Sequence, residues 1–270
     1  MRVALVASFA LALANGPVGA LLLLRRESPS GNVLSHAVMP GAALGFLYGG
    51  YSLAALSFGG LLTGLVVAGL AALKTGSKPQ RQDVSLIAFY LVSLSFGILI
   101  VAARGSQADL MHVLFGTVLA VDVTALLLIA SITSITLLVI AALYRPLTVE
   151  SFDPAFLRAV GGGGGIFRAI FITLVVLNLV ASFQAFGTML AIGPMLLPAA
   201  AARCWTQKVW PMIALATIIG MAAALAGLLI SYYANLPSGP AIVMGAGLIY
   251  GISLLAGRRR LQPRTFEEQR

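Results

Sequence analysis

The chain has two histidines, His36 and His112, and each has a polar partner at helical spacing. The first lies in Gly31-Asn32-Val33-Leu34-Ser35-His36-Ala37-Val38-Met39-Pro40-Gly41. Asn32 and His36 are four apart and share a helix face. Pro40 has no amide hydrogen, which frees the His36 carbonyl from its usual partner four residues later. That face offers an amide oxygen, an imidazole nitrogen and an unbonded carbonyl, donors that a transition-metal ion in transit could use. A kinked helix whose histidine is held by a neighbouring helix would carry the same spacing. The second cluster pairs Asp109 with His112 three residues later, enough to hold a cation briefly at an entrance. Equally, Asp109 could cap a helix and leave His112 exposed.

A third stretch, Ser151-Phe152-Asp153-Pro154-Ala155-Phe156-Leu157-Arg158-Ala159-Val160-Gly161, reads as a short capped helix. Asp153 suits the N-cap, Pro154 the first helical position and Gly161 the residue just past the end. Such a helix could lie on lipid headgroups, but Phe152, Phe156 and Leu157 also give it an apolar face for a partner's groove, with Arg158 at the rim. The Gly161–Gly165 run behind it is a flexible joint.

The elements that must position these residues are membrane helices. Of the 270 residues 60% are hydrophobic and 9% charged, with a mean hydropathy of +1.01, against roughly 25% charged in globular domains. So few charges cannot cover a soluble surface, and so much apolar material excludes disorder. The net charge of +9 sits in small groups between apolar runs, as topology signals do, and no nucleic-acid module is visible. The single cysteine, Cys204, cannot form an internal disulfide.

Nine apolar blocks emerge, near 3–24, 33–49, 52–73, 84–103, 118–143, 166–186, 188–202, 209–232 and 240–257. With the N-terminus outside and the C-terminus inside, every Lys and Arg except Arg2 and Arg104 lies on the inner side. A signal peptide ending at Ala12-Leu13-Ala14 is the competing reading of the first block, but cleavage there would strand the apolar run Val18 to Leu24. Pro40, Pro194 and Pro198 are expected kinks. Small residues four apart, Gly41, Gly45 and Gly49, then Gly60, Gly64 and Ala68, then Gly247 and Gly251, predict close helix contacts. Residues 1–257 read as one transmembrane domain and 258–270 as a basic tail.

Lys74, Lys78 and Lys208 are the only lysines and none follows glycine, so a Gly-Lys-Ser/Thr phosphate loop is excluded and the chain has no Walker-type ATPase of its own. No nucleophile–base grouping suggests a hydrolase either.

Together these segments resemble the membrane subunits of ABC importers for zinc, manganese and related metals. Leu24-Arg25-Arg26 followed by Gly31 to Gly41 is similar to the family's Gly-Asp-Ala-hydrophobic-Ser-His-Ala-Val-Leu-Pro-Gly segment. Asp109 to Gly116, Tyr144-Arg145-Pro146 with Phe152-Asp153-Pro154, Gly187 to Arg203, and Tyr232 to Pro240 are similar in the same order, so the resemblance covers most of the chain. It implies an all-α polytopic protein with an ABC importer permease fold of about nine transmembrane helices, seated in a bacterial-type cytoplasmic (inner) membrane. It also implies a homodimer or pseudo-dimer of such subunits, two cytoplasmic ATPase subunits and an extracytoplasmic metal-binding protein, with zinc or manganese as cargo and no resident cofactor. In that scheme His36, with Asn32, belongs to the metal position on the path, and Asp109 and His112 stand nearer its mouth. Asp153, Pro154, Phe156, Leu157 and Arg158 belong to the coupling helix, within a cytoplasmic segment 144–165.

Two departures stand out. Asn32 occupies the position where the family usually has aspartate, which removes a formal charge, and the N-terminus lacks the amphipathic segment often found before the first span. The alternatives are a stand-alone secondary carrier or channel for cations, which has no use for a docking helix, and an importer subunit for iron chelates, in which His36 would be structural.

Overall fold

The structure, a computed structural model, describes residues 1–25, 38, 40–46, 48–49, 52–73, 95, 99, 118, 121–153, 156–157, 164–187, 190–234 and 236–261. Its elements are α1 (Arg2–Leu24), α2 (Leu53–Leu73), α3 (Val123–Phe152), α4 (Gly164–Phe186), α5 (Gly193–Arg203), α6 (Val209–Ala234) and α7 (Ser238–Leu261), with further helical residues at 40–46. Helices are the expected solution, because a helix satisfies its backbone groups within itself where no water can. Among the described residues α1, α3, α4, α6 and α7 are long and apolar enough to cross a membrane. The block at 84–103 lies outside the described residues apart from helical Ser95 and Leu99.

The helix α1 is the centre of the bundle. Within its most apolar stretch 72% of residues are buried, against 28% for α3, and it packs on α3, α4, α5 and α6. Its Val18, Leu21 and Leu22 form a core with Phe171, Leu174 and Met195. Near its start, Ala4 and Ala7 meet Val121, Ala125 and Leu228; near its end, Ala20, Leu23 and Leu24 meet Tyr144, Val209 and Met212. The end of α1, the far part of α3 and the start of α6 therefore share one end of the bundle, where Arg25, Arg145 and Lys208 also fall.

Two expectations are corrected. Block 118–143 stops too early: α3 bends at Leu143 (φ −108°, ψ 18°) and resumes to Phe152. Pro146 lies inside the helix, and its ring obstructs the carbonyl one turn back, so the segment expected to begin at 144 continues the same helix past a kink. Pro194, expected as a kink, stands in the first turn of α5, where a missing N–H costs nothing, whereas Pro198 is inside that helix and Pro40 lies in the helical stretch 40–46. Asp122 is an N-cap, its carboxylate accepting the Ala125 N–H at 2.8 Å.

Small residues bring residues 40–46 against α2. A Cβ on Gly41 would fall on the Gly59 carbonyl and the Thr63 hydroxyl, and one on Gly45 on the Ala55 carbonyl, an antiparallel order. Gly60 and Gly64 face Val38 and Val176. Gly247 and Gly251 have open space instead, so that stripe on α7 makes no contact among the described residues.

Candidate functional site

Arg25 follows α1 directly and its backbone N–H still bonds the Leu21 carbonyl, at 3.0 Å. Its guanidinium meets the Glu150 carboxylate at 2.5 Å, with both side chains 5% exposed. Its Nε donates to the Ser151 hydroxyl (3.1 Å), and its Cζ lies over the Phe171 ring, 4.0 Å from the centroid. The Ser151 hydroxyl donates in turn to the Leu147 carbonyl at 2.6 Å. A cation at the end of α1 suits the helix dipole. With water excluded, removal of either charge would strand the other at a cost of about 3–5 kcal/mol. One side chain thus joins the end of α1, the last turn of α3 and the first turns of α4.

Two residues beyond Ser151, Asp153 ends α3 and starts the next turn. Its backbone N–H bonds the Val149 carbonyl at 2.8 Å, while its carboxylate accepts the Phe156 N–H at 2.9 Å, the bond an N-cap makes. Phe152 and Phe156 are 61% and 56% exposed, so an apolar face is turned away from the bundle. Pro154 and Arg158 lie outside the described residues.

Asn32, His36, Asp109 and His112 also lie outside the described residues, and among those described no group of three or more His, Cys, Asp or Glu is placed to hold a metal. What is described is the support just behind His36. Val38 is 1% exposed, Ala42 is buried against Leu56 and Phe183, and Pro40 is buried as well. Val38 and residues 40–46 are therefore packed on α2 and α4.

A polar seam that the sequence reading did not pick out runs through the middle of the bundle. Asn15 donates to the Ser182 hydroxyl (3.1 Å), and Asn178 donates to the Thr136 hydroxyl and the Leu174 carbonyl, both at 2.8 Å. Thr133 donates across to the Ala10 carbonyl at 3.1 Å. Asn15 and Asn178 are fully buried, and their amide oxygens accept nothing from the described residues. Beside Asn15, Ser8, Pro194, Pro198 and Gly220 border a small space with room for about one water. The sequence signal for this seam is an amide in the middle of an apolar run, at Asn15 and again at Asn178. Glu150 lies beyond the expected end of the apolar block at 143, in the segment 144–165 that the sequence places outside the spans.

Residues 1–257 match the ABC 3 transport family. The manganese import system permease protein ScaB of Streptococcus parasanguinis is 31% identical over 252 residues, covering 93% of this chain and 88% of the relative. The manganese transport system membrane protein MntC of Listeria monocytogenes is 31% identical over 257 residues, covering 94% and 90%. Among solved structures, PsaBC from Streptococcus pneumoniae in complex with Fab is similar with a TM-score of 0.85 and 30% identity, covering 94% of this chain and 90% of that one. A match across nearly the whole length, on an all-helical bundle of this architecture, has one reading: the chain belongs to the ABC 3 transport family.

Proposed function

We propose that the chain is the membrane-spanning permease subunit of an ATP-binding-cassette importer that takes up a divalent transition metal, manganese ahead of zinc. The observation that carries this is the full-length likeness to relatives named as manganese import permeases. Energy comes from separate cytoplasmic ATPase subunits and cargo from an extracytoplasmic metal-binding protein, with two copies of this chain in a bacterial cytoplasmic membrane.

Nine spans with the N-terminus outside are supported by the grouping of Arg25, Arg145 and Lys208 at one end of the bundle. Exposed Trp210 at the start of α6 and Tyr232 and Tyr233 at its end fit the two aromatic belts of a helix that crosses the bilayer. On this orientation the Asp153 turn, with exposed Phe156, faces the cytosol as the ATPase docking element. His36 and Asn32 contact the ion in passage, and Asp109 and His112 sit nearer the outer mouth. Asn32 contributes a neutral oxygen where a carboxylate would bind more tightly, which favours release over retention.

Whole-cell manganese uptake tests this reading. Deleting the chain should lower manganese accumulation and leave magnesium accumulation unchanged, with zinc a weaker competitor than unlabelled manganese. Unchanged manganese accumulation, or zinc as the stronger competitor, overturns the assignment of cargo.

A further inference from the structure

Arg25 stands at the root of two segments that the proposed function needs to connect. In the sequence, Asn32 and His36 follow it by seven and eleven residues. Glu150 and Ser151, which it holds, are in the last turn of α3, immediately before Asp153 and the exposed Phe156. A third contact, the Phe171 ring, holds the guanidinium against α4.

Solvated ion pairs open and close freely and transmit little. This pair is 5% exposed on both sides, so little water reaches either partner to replace the other, and separating them carries a desolvation cost that a solvated pair does not. Apolar residues of similar volume would hold the same helices at equal or better stability. What they could not reproduce is the fork of the guanidinium, which fixes an angle as well as a separation by engaging Glu150 and Ser151 together. The kink at Leu143 lies two turns before the pair, so the last part of α3 can swing as a short lever with Glu150 on it.

We propose that Arg25 and Glu150 are a positioning pair that carries movement of the last turn of α3, imposed by an ATPase docked beside it, to the end of α1, from which the sequence runs on to Asn32 and His36. The proposal rests on the proposed function above. Neither residue touches cargo or nucleotide; the pair sets how much transport each hydrolysis event yields.

The test uses the full chain assembled with its ATPase in proteoliposomes, with manganese as the probe and uptake per ATP hydrolysed as the reading. Arg25→Met combined with Glu150→Leu removes both charges while keeping volume. It should retain the ATPase and hydrolyse ATP, but manganese moved per ATP should fall by about tenfold, within the usual range of coupling between sites. An assembled double variant with the wild-type ratio overturns the proposal. If that variant does not assemble, Arg25→Lys decides, since it keeps the charge and loses the fork: a lowered ratio supports the pair and an unchanged ratio overturns it. Phe156→Asp run in parallel separates this failure from failure of the docking reading. Loss of the ATPase in Phe156→Asp with intact ratios in the pair variants sinks only the pair.

Discussion

Gly41 and Gly59 pack backbone to backbone: a Cβ on either would fall on the carbonyl oxygen of the other. This contact pins the helical stretch behind His36 onto α2. Gly59→Ala should therefore push residues 40–46 off α2, at an overpacking cost of about 1–3 kcal/mol. Thermal unfolding of the purified protein should show a lowered midpoint, while Gly247→Ala, where the new methyl meets open space, should leave it unchanged.

On the proposed reading of His36 as a ligand, His36→Ala is expected to abolish manganese uptake while membrane insertion and ATPase association stay intact. His112→Ala should mainly weaken capture, raising the metal concentration needed for half-maximal uptake. Asn32→Asp adds a charge four residues from His36 in the sequence, so on the proposed reading purified complex should retain more manganese than the native chain. Equal metal content would argue that Asn32 does not face the path.

The seam between α1, α3 and α4 gives a separate expectation. Asn178→Leu removes bonds to Thr136 and Leu174, and polar contacts between membrane helices are worth about 0.6 kcal/mol each, reaching about 1.7. A small drop in thermal midpoint with normal uptake would mark Asn178 as structural. Loss of uptake at an unchanged midpoint would instead put the seam on the transport route.

The exposed Phe156 should act as a docking anchor. Burying a phenylalanine is worth roughly 1.5–3 kcal/mol, so Phe156→Asp should shift association with the ATPase by more than about tenfold. Asp153→Ala removes the cap on the same turn and should weaken association less, by about 0.5–2 kcal/mol. Arg158→Ala should act weakly and more at low salt than at high salt. Co-purification across a salt series reads all three.

How much of this was legible in the sequence depended on the kind of signal. Long apolar runs closed by charges located α1, α2, α4, α6 and α7 to within a few residues, because burial in lipid leaves a compositional mark. Asp153 could be read as a cap because N-capping is local, and its bond to Phe156 is present. The length of α3 was not legible, since Pro146 looks the same whether it ends a helix or bends one. Nor was the pairing of Arg25 with Glu150, which lie on different helices far apart in sequence; no local pattern couples them. The glycine stripes predicted contacts, but only the fold distinguished Gly41, which meets α2, from Gly251, which meets nothing among the described residues.

The most direct measurement is manganese uptake into proteoliposomes holding this chain with its ATPase and metal-binding protein, with ATP sealed on the ATPase side. The account predicts uptake that requires ATP hydrolysis, persists without a proton or sodium gradient, and disappears in His36→Ala. Uptake by the chain alone, driven by an ion gradient and indifferent to ATP, would contradict it.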